Sequence, residues 1–334
     1  MRRRGFITLI GGAAAAGALP FVAQAQQADR MRHIAILGNS SDADTDTVQR
    51  LAGLYRGLNA LGWVEGKNLK IDRRWSAGDP ERVKAHAQDL ARSAVELIVV
   101  YGTPATAALK QATSNIPIVF ALLTDPVGEG FVDSLSRPGG NITGFSAFDS
   151  EMSGKWMALL KEVAPGVARA ALLFNPRTSP GFGGPLMQQH FRTTARQLAV
   201  EPMPMPIDSA ADMERTLADH ASRSGGGLVA MPDGFLFVHS ALLVRLANEL
   251  RLPAIYPFRH FATIGGLMSY GVNTVDLSVR AASYVDRILK GEKPADLPVQ
   301  APNTFGLAIN LKSAKALGLD VPPTLLATAD EVFE

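Results

Sequence analysis

The chain has 334 residues, with 33 Lys and Arg against 31 Asp and Glu, 47% hydrophobic residues and no cysteine. A near-neutral balance without basic clusters argues against nucleic-acid or anionic-membrane partners, which need concentrated positive charge. The missing thiol excludes disulfides, cysteine nucleophiles and a lipid-bearing cysteine, so the fold must rest on its core.

Residues 1–25 read as an export leader. Arg2, Arg3 and Arg4 precede the apolar, small-residue stretch Phe6–Val22, and Ala23-Gln24-Ala25 fits a cleavage site. Arg3-Arg4-Gly5-Phe6-Ile7 also fits a twin-arginine signal, which exports folded proteins. The alternative, a membrane anchor, is opposed by the glycines, by Pro20 and by a run shorter than a usual span. Setting the leader aside leaves 30 basic residues against 31 acidic ones, over about 309 residues. That length exceeds one usual core, so two domains are expected, free in the periplasm.

His33–Gly38 is a continuous apolar run, as in a strand buried on both faces. Val48, Leu51, Leu54, Tyr55 and Leu58 space a helix over Thr47–Leu61, which Gly62 stops. A strand at Leu69–Trp75, a helix at Asp79–Ala94 and a strand at Glu96–Gly102 come next. They precede a helix from Thr103, a strand at Ile116–Leu123, a helix at Val127–Leu135 and a short strand at Asn141–Ala147. Then the order restarts with helix Met152–Val163, strand Arg169–Pro176 and helix Pro185–Leu198. Glu201–Ile207, helix Ala210–Ser222, Gly226–Asp233, helix Leu236–Leu250 and Leu252–Phe258 continue it. Gly265–Asn273 leads into a helix at Val275–Leu289, a strand and short helix follow Thr304, and Val321–Glu334 is a tail.

Repeated βα units of this size mean parallel sheets with helices on both faces. The restart predicts two similar lobes around a cleft, where ligands bind. The expected lobes are residues 31–144 with 272–300, and 145–271 with 301–334. The chain is expected to cross between them at Asn141–Ser146, Met268–Val272 and about Gln300–Phe305.

In open α/β sheets, ligands bind outside the carboxyl ends of the strands. Those ends are Gly38-Asn39-Ser40-Ser41, Gly102-Thr103-Pro104-Ala105-Thr106, Thr124-Asp125-Pro126, Asn175–Thr178, Pro232-Asp233 and Tyr256-Pro257-Phe258. Thr103 with Pro104 opens a helix whose free N–H groups and positive dipole end suit a carboxylate. Thr-Pro and Asp-Pro are also ordinary helix starts, so the functional reading rests on several exits converging. Asp125 and Asp233, one per lobe, have the charge to hold an ammonium group or simply cap helices. Tyr256, Phe237 and Phe258 offer rings for a flat ligand or for the core.

Catalytic patterns are thin. The six histidines show no i,i+4 pair and no HExxH, so zinc is not expected. No G-x-S-x-G elbow is present, and Gly225-Gly226-Gly227 lacks the Lys-Ser/Thr of a phosphate loop. Nothing selects a hydrolase, though carboxylate pairs leave that class open.

The segments GLNALGWVEGKNLKIDRRWSAGDPERV, GTPATAALKQAT, IPIVFALLTDPVGEGFVDSLSRPGGNITGFS and LPAIYPFRHFATIGGLMSYG carry a resemblance, as do AASYVDRILKGEKPADLPVQAPNTFGLAINLKSAKALGL and VPPTLLATADEVFE. From about His33 onward the chain resembles the ABC-transporter substrate-binding proteins that include tryptophan and tyrosine uptake receptors. The resemblance implies a type I periplasmic-binding-protein fold, an α/β architecture of two Rossmann-like lobes with parallel central sheets. It implies no enzyme activity and no cofactor. It places the ligand among Asn39, Ser40, Ser41, Gly102, Thr103, Pro104, Ala105, Thr124 and Asp125 of one lobe. From the other lobe it implies Asn175, Asp233, Tyr256, Ser269 and Tyr270. Where relatives hold an aromatic amino acid, it implies an aromatic wall and an amine-holding carboxylate. The Gly38–Asp42 loop and the Gly/Pro-rich Ser179–Pro185 after Asn175 depart from the family at places where ligand choice changes. The implied role is capture of an amino acid or an aromatic or carboxylate compound by a monomer, which hands it to an ABC permease in the inner membrane. A ligand-sensing module for a membrane signalling protein and a secreted hydrolase are the alternatives.

Overall fold

The computed structural model describes residues 30–178 and 185–334; the leader and residues 179–184 lie outside the described residues. Five strands form the first sheet, all parallel, in the order β2-β1-β3-β4-β5. They are β1 (Arg32–Gly38), β2 (Leu69–Trp75), β3 (Leu97–Tyr101), β4 (Ile118–Thr124) and β5 (Ile142–Phe148). Every residue of β3 and β5 is buried, because helices cover both faces and leave no polar side to the strand.

On one face, α1 (Thr45–Ala60) lies against α10 (Thr274–Leu289), and Leu54 and Leu58 join Ile34 and Val99 in a shared core. On the other, α2 (Pro80–Arg92) and α3 (Thr103–Ala112) bury Val83, Leu90 and Leu109 against Leu37, Ile98 and Val100.

The second sheet has seven strands, ordered β12-β11-β10-β9-β8-β6-β7. Its parallel centre is β6 (Arg169–Phe174), β7 (Glu201–Pro206), β8 (Gly226–Ala230), β9 (Ala254–Tyr256) and β10 (Met268–Gly271). Prolines at every second residue of β7 are tolerated because it pairs only with β6, at the sheet edge. β11 (Gly306–Asn310) runs antiparallel to β10, and β12 (Glu331–Phe333) pairs with β11. Helices α4 (Met152–Val163) and α5 (Pro185–Gln197) cover one face of this sheet. On the opposite side, α6 (Ala210–Ala221) and α8 (Ser240–Glu249) bury Met213, Leu217 and Leu243 against Ala171 and Leu228. The core beneath α1 and α10 is continuous with that beneath α4 and α5, where Trp156 and Phe191 are fully buried.

Four expectations need correction. Asn141–Ser146 is not a crossing, because β5 stays paired with β4 as far as Phe148. Val127–Leu135 forms turns rather than a helix, with Phe131 and Val132 N–H both donating to the Pro126 carbonyl; Gly128 and Gly130 in its first turn weaken any helix. The Leu236–Leu250 helix is two pieces, α7 (Gly234–Val238) and α8, broken at His239. The tail holds α12 (Pro323–Ala327), following α11 (Leu311–Leu317), and ends in β12. At the third crossing the chain runs beside β5, with Gln300 N–H donating to the Gly144 carbonyl and Ser146 N–H to the Gln300 carbonyl, both 2.9 Å. Among the described residues, no helix is long and apolar enough to cross a membrane.

Candidate functional site

The β1 exit is shaped by its neighbour. A side chain at Gly38 would meet the Trp75 ring at 2.1 Å, so the strand ends bare. Beyond it, Asn39 Oδ1 accepts from Ser76 Oγ (3.1 Å), and its carbonyl accepts from Gly78 N–H (2.7 Å). Ser40 Oγ lies 2.7 Å from Thr47 Oγ1 at the start of α1. From the same helix comes Arg50, buried and paired with Asp46 one turn back, with a second bond to Thr47 Oγ1 (3.0 Å). Its guanidinium stands 5.8 Å from the Tyr101 ring centre and 5.4 Å from that of Phe237. Tyr101 ends β3 in the first lobe and Phe237 belongs to α7 in the second, so Arg50 lies between the lobes.

At the β3 exit Gly102 has φ 90°, a left-handed conformation that glycine adopts without strain. No side chain caps α3, so its first-turn N–H groups keep their positive end for a ligand. β4 carries a bulge beside Leu122, whose φ of 63° is strained for a leucine.

Across the gap, Asp233 caps α7 and accepts from Phe235 N–H (2.7 Å) and Leu236 N–H (3.0 Å). It also takes the Asn175 N–H (3.1 Å) and the Thr178 hydroxyl (3.0 Å). Burial pushes its carboxyl above the usual range, and those donors oppose the shift.

These parts enclose a cavity of about 80 Å³. Of the residues expected from sequence, Asn39, Ser40, Gly102, Thr103, Pro104 and Asp233 line it, as do the rings of Phe237 and Phe258. A wider hollow of about 880 Å³ opens beyond Phe258, between the start of α1, α9 (Arg259–Thr263) and the C-terminal residues. The exits of β1, β3, β8 and β9 converge on the smaller one.

The remaining expected residues stand off its wall. Ser41 sits beyond the rim of the β1 loop, with its hydroxyl on the Ala43 N–H. Ala105 is packed inside α3, and Thr124 is buried at the end of β4. Asp125 turns back onto its own Gly128 N–H (2.9 Å). Asn175 shapes a turn through Arg177 and Thr178 N–H. Tyr256 is buried and stacked on Phe261 at 4.8 Å, its hydroxyl unpartnered and its phenol pushed upward by burial. Ser269 is buried within β10, while Tyr270 stacks on Phe305 at 5.8 Å. The two aspartates therefore do not present free carboxylates to an ammonium: one is off the cavity and the other already accepts at both oxygens.

Arg50, Tyr101 and Leu122 line the cavity without having been expected. Arg50 lies outside the apolar face Val48, Leu51, Leu54, Tyr55, Leu58 read from the sequence. α1 is rotated so that Thr47, Arg50, Leu54 and Leu58 are buried while Val48 is exposed, and a buried cation needs a partner. Among the described residues, no group of three or more His, Asp or Glu is placed to hold a metal.

The family described as ABC transporter substrate binding protein matches residues 39–333. The chain belongs to this substrate-binding family. A curated relative, the tyrosine-binding protein of Clostridioides difficile (strain R20291), is 25% identical over 268 residues, 80% of this chain and 76% of that protein. The structure of an ABC domain in complex with L-Trp from Streptococcus pneumonia overlays with a TM-score of 0.83 at 26% identity, covering 90% of this chain and 99% of that one. A conserved domain protein from Vibrio cholerae O1 biovar El Tor gives 0.83 at 27% identity, covering 91% and 100%. The architecture is that of the type I periplasmic binding proteins, and a substrate-binding protein of this family is a binding protein rather than an enzyme.

Proposed function

We propose that this substrate-binding protein captures a small carboxylate with a flat or apolar body between its lobes, outside the inner membrane, and delivers it to an ABC permease. The observation that carries the reading is Arg50, held between Tyr101 of one lobe and Phe237 of the other, beside the uncapped start of α3. Arg50 and the α3 amides offer an anion charge-assisted and backbone hydrogen bonds, and Tyr101, Phe237 and Phe258 offer apolar area. Tyrosine and L-Trp, named for two relatives, share that chemistry. A ligand touching both lobes favours the closed form by its differential contacts. The leader read in the sequence supports the exported location.

The test is a thermal-shift panel on the leader-free chain: L-tryptophan, L-tyrosine, their deaminated acids and their carboxamides. Saturation at 100 times the dissociation constant adds about 2.7 kcal/mol of apparent stability, so binders among the acids raise Tm and the carboxamides do not. Arg50→Lys keeps a charge beside Asp46 but loses the planar fork, and weakens binding by roughly tenfold or more. A panel in which no acid raises Tm rejects this ligand class.

A further inference from the structure

Gly234 opens α7 directly after its Asp233 cap, at a position where φ is ordinary. Alanine is compatible with such a position, so the local backbone gives no reason for glycine. The opposite lobe does. A Cβ at 234 would lie 2.9 Å from Asn39 Nδ2 and 3.9 Å from Pro104 Cγ. Asn39 is buried, and its Oδ1 is tied to Ser76 Oγ, so its amide has little room to swing aside. At the far end of α7, Val238 reaches the first lobe at Gly78, where a Cβ would lie 3.3 Å from Val238 Cγ2; the φ of 80° at Gly78 calls for glycine on its own account.

We infer that Gly234 is a positioning residue for ligand capture: its bare backbone lets α7 seat against Asn39, and this contact sets how far the lobes close. The inference rests on the interlobe cavity being the binding site. At this separation the Arg50 guanidinium reaches the Phe237 ring and the cavity is about 80 Å³. A methyl group at 234 fits only if Asn39 or the whole lobe gives way, because packed surfaces do not absorb an added methyl without a shift. The closed state is then less populated, and a compact ligand bridging both lobes binds less tightly.

The cysteine-free chain allows a direct test. Spin labels at Ala85→Cys on α2 and Ala218→Cys on α6, both exposed, report the distance between lobes. It is measured without ligand and with saturating L-tryptophan. The expected result is a short-distance population in at least one condition, depleted roughly threefold or more by Gly234→Ala. Asn39→Ala in the Gly234→Ala background removes the obstructing amide and restores that population, whereas Gly140→Ala, with nothing within 4 Å of its Cβ, leaves it unchanged. A short-distance population that is absent from the parent, unaffected by Gly234→Ala or not restored by the second substitution overturns the inference. If L-tryptophan has no effect while Gly234→Ala still depletes the ligand-free population, the closure contact stands, and the ligand class is judged by the thermal-shift panel of acids.

Discussion

Burying Arg50 takes a guanidinium out of water at a cost of several kcal/mol, unless its donors find acceptors and its face finds a ring. Asp46 and Thr47 accept from it on its own helix, and the Tyr101 and Phe237 rings stand beside its face from two lobes. The helix was readable in the sequence, but the face that buries Arg50 was not, nor were its neighbours from β3 and α7, which lie about 50 and 190 residues away. His220 is a second buried ionisable group. It closes α6 with Nε2 3.3 Å from the Gly227 carbonyl and Nδ1 unpartnered. Burial, then the nearby Arg169 guanidinium, lowers its pKa below the usual 6.5. The unfolded chain therefore takes up this proton as pH falls past 6.5 while the folded chain resists. His220 thus supports the fold fully above that pH and loses this contribution through the more acid folded pKa. Thermal melts from pH 7.5 to 5 should show Tm falling faster for the parent than for His220→Gln, which keeps a donor for the Gly227 carbonyl. Parallel slopes would assign the acid sensitivity elsewhere.

At the scale of elements, α1 and α10 were each legible as helices from apolar spacing, but their mutual packing was not. Gly53 and Gly57 carry it. A Cβ at Gly57 would lie 2.6 Å from the Val279 carbonyl oxygen and 2.7 Å from Ala282 Cβ, and one at Gly53 lies 2.8 Å from the Val275 carbonyl oxygen. Each glycine costs its helix about 1 kcal/mol relative to alanine, a loss offset by the close approach. Gly57→Val should lower unfolding stability by about 2–4 kcal/mol in a denaturant titration, whereas Gly62→Asn, just past the helix in open space at φ 88°, changes it little. A Gly57→Val effect as small as that of Gly62→Asn would mean that the helices part without cost. The Val127–Leu135 segment shows the opposite error. Asp125-Pro126 has helix-start chemistry, but after one helical bond from Glu129 N–H to the Asp125 carbonyl the bonding passes into turns, with Phe131 and Val132 N–H both on the Pro126 carbonyl.

For the whole molecule, the decisive feature is that the chain returns to the first sheet after building most of the second. α10 brings Leu277, Tyr284, Val285, Ile288 and Leu289 back to cover that sheet. Burial of five such side chains is worth about 7–15 kcal/mol, comparable to the entire stability of a typical domain. A chain ended at Gly271 should therefore lose cooperative unfolding and bind a hydrophobic dye, although residues 31–148 contain all five strands of the first sheet. Sharp, two-state unfolding of that truncated chain would show that α10 is dispensable.

The alternation of buried strands and amphipathic helices, the strand exits and the family motifs are local patterns, because backbone hydrogen bonding and apolar period act over a few residues. Those determined the α/β class, the two lobes and half of the cavity wall. Which exits meet was decided only by the packing of one lobe on the other. That packing turned Tyr256 into the core, used Asp233 to brace α7, and let a side chain from α1 complete the site. Contacts between residues two hundred positions apart depend on loop closure and shape fit, which leave no short-range mark on the chain.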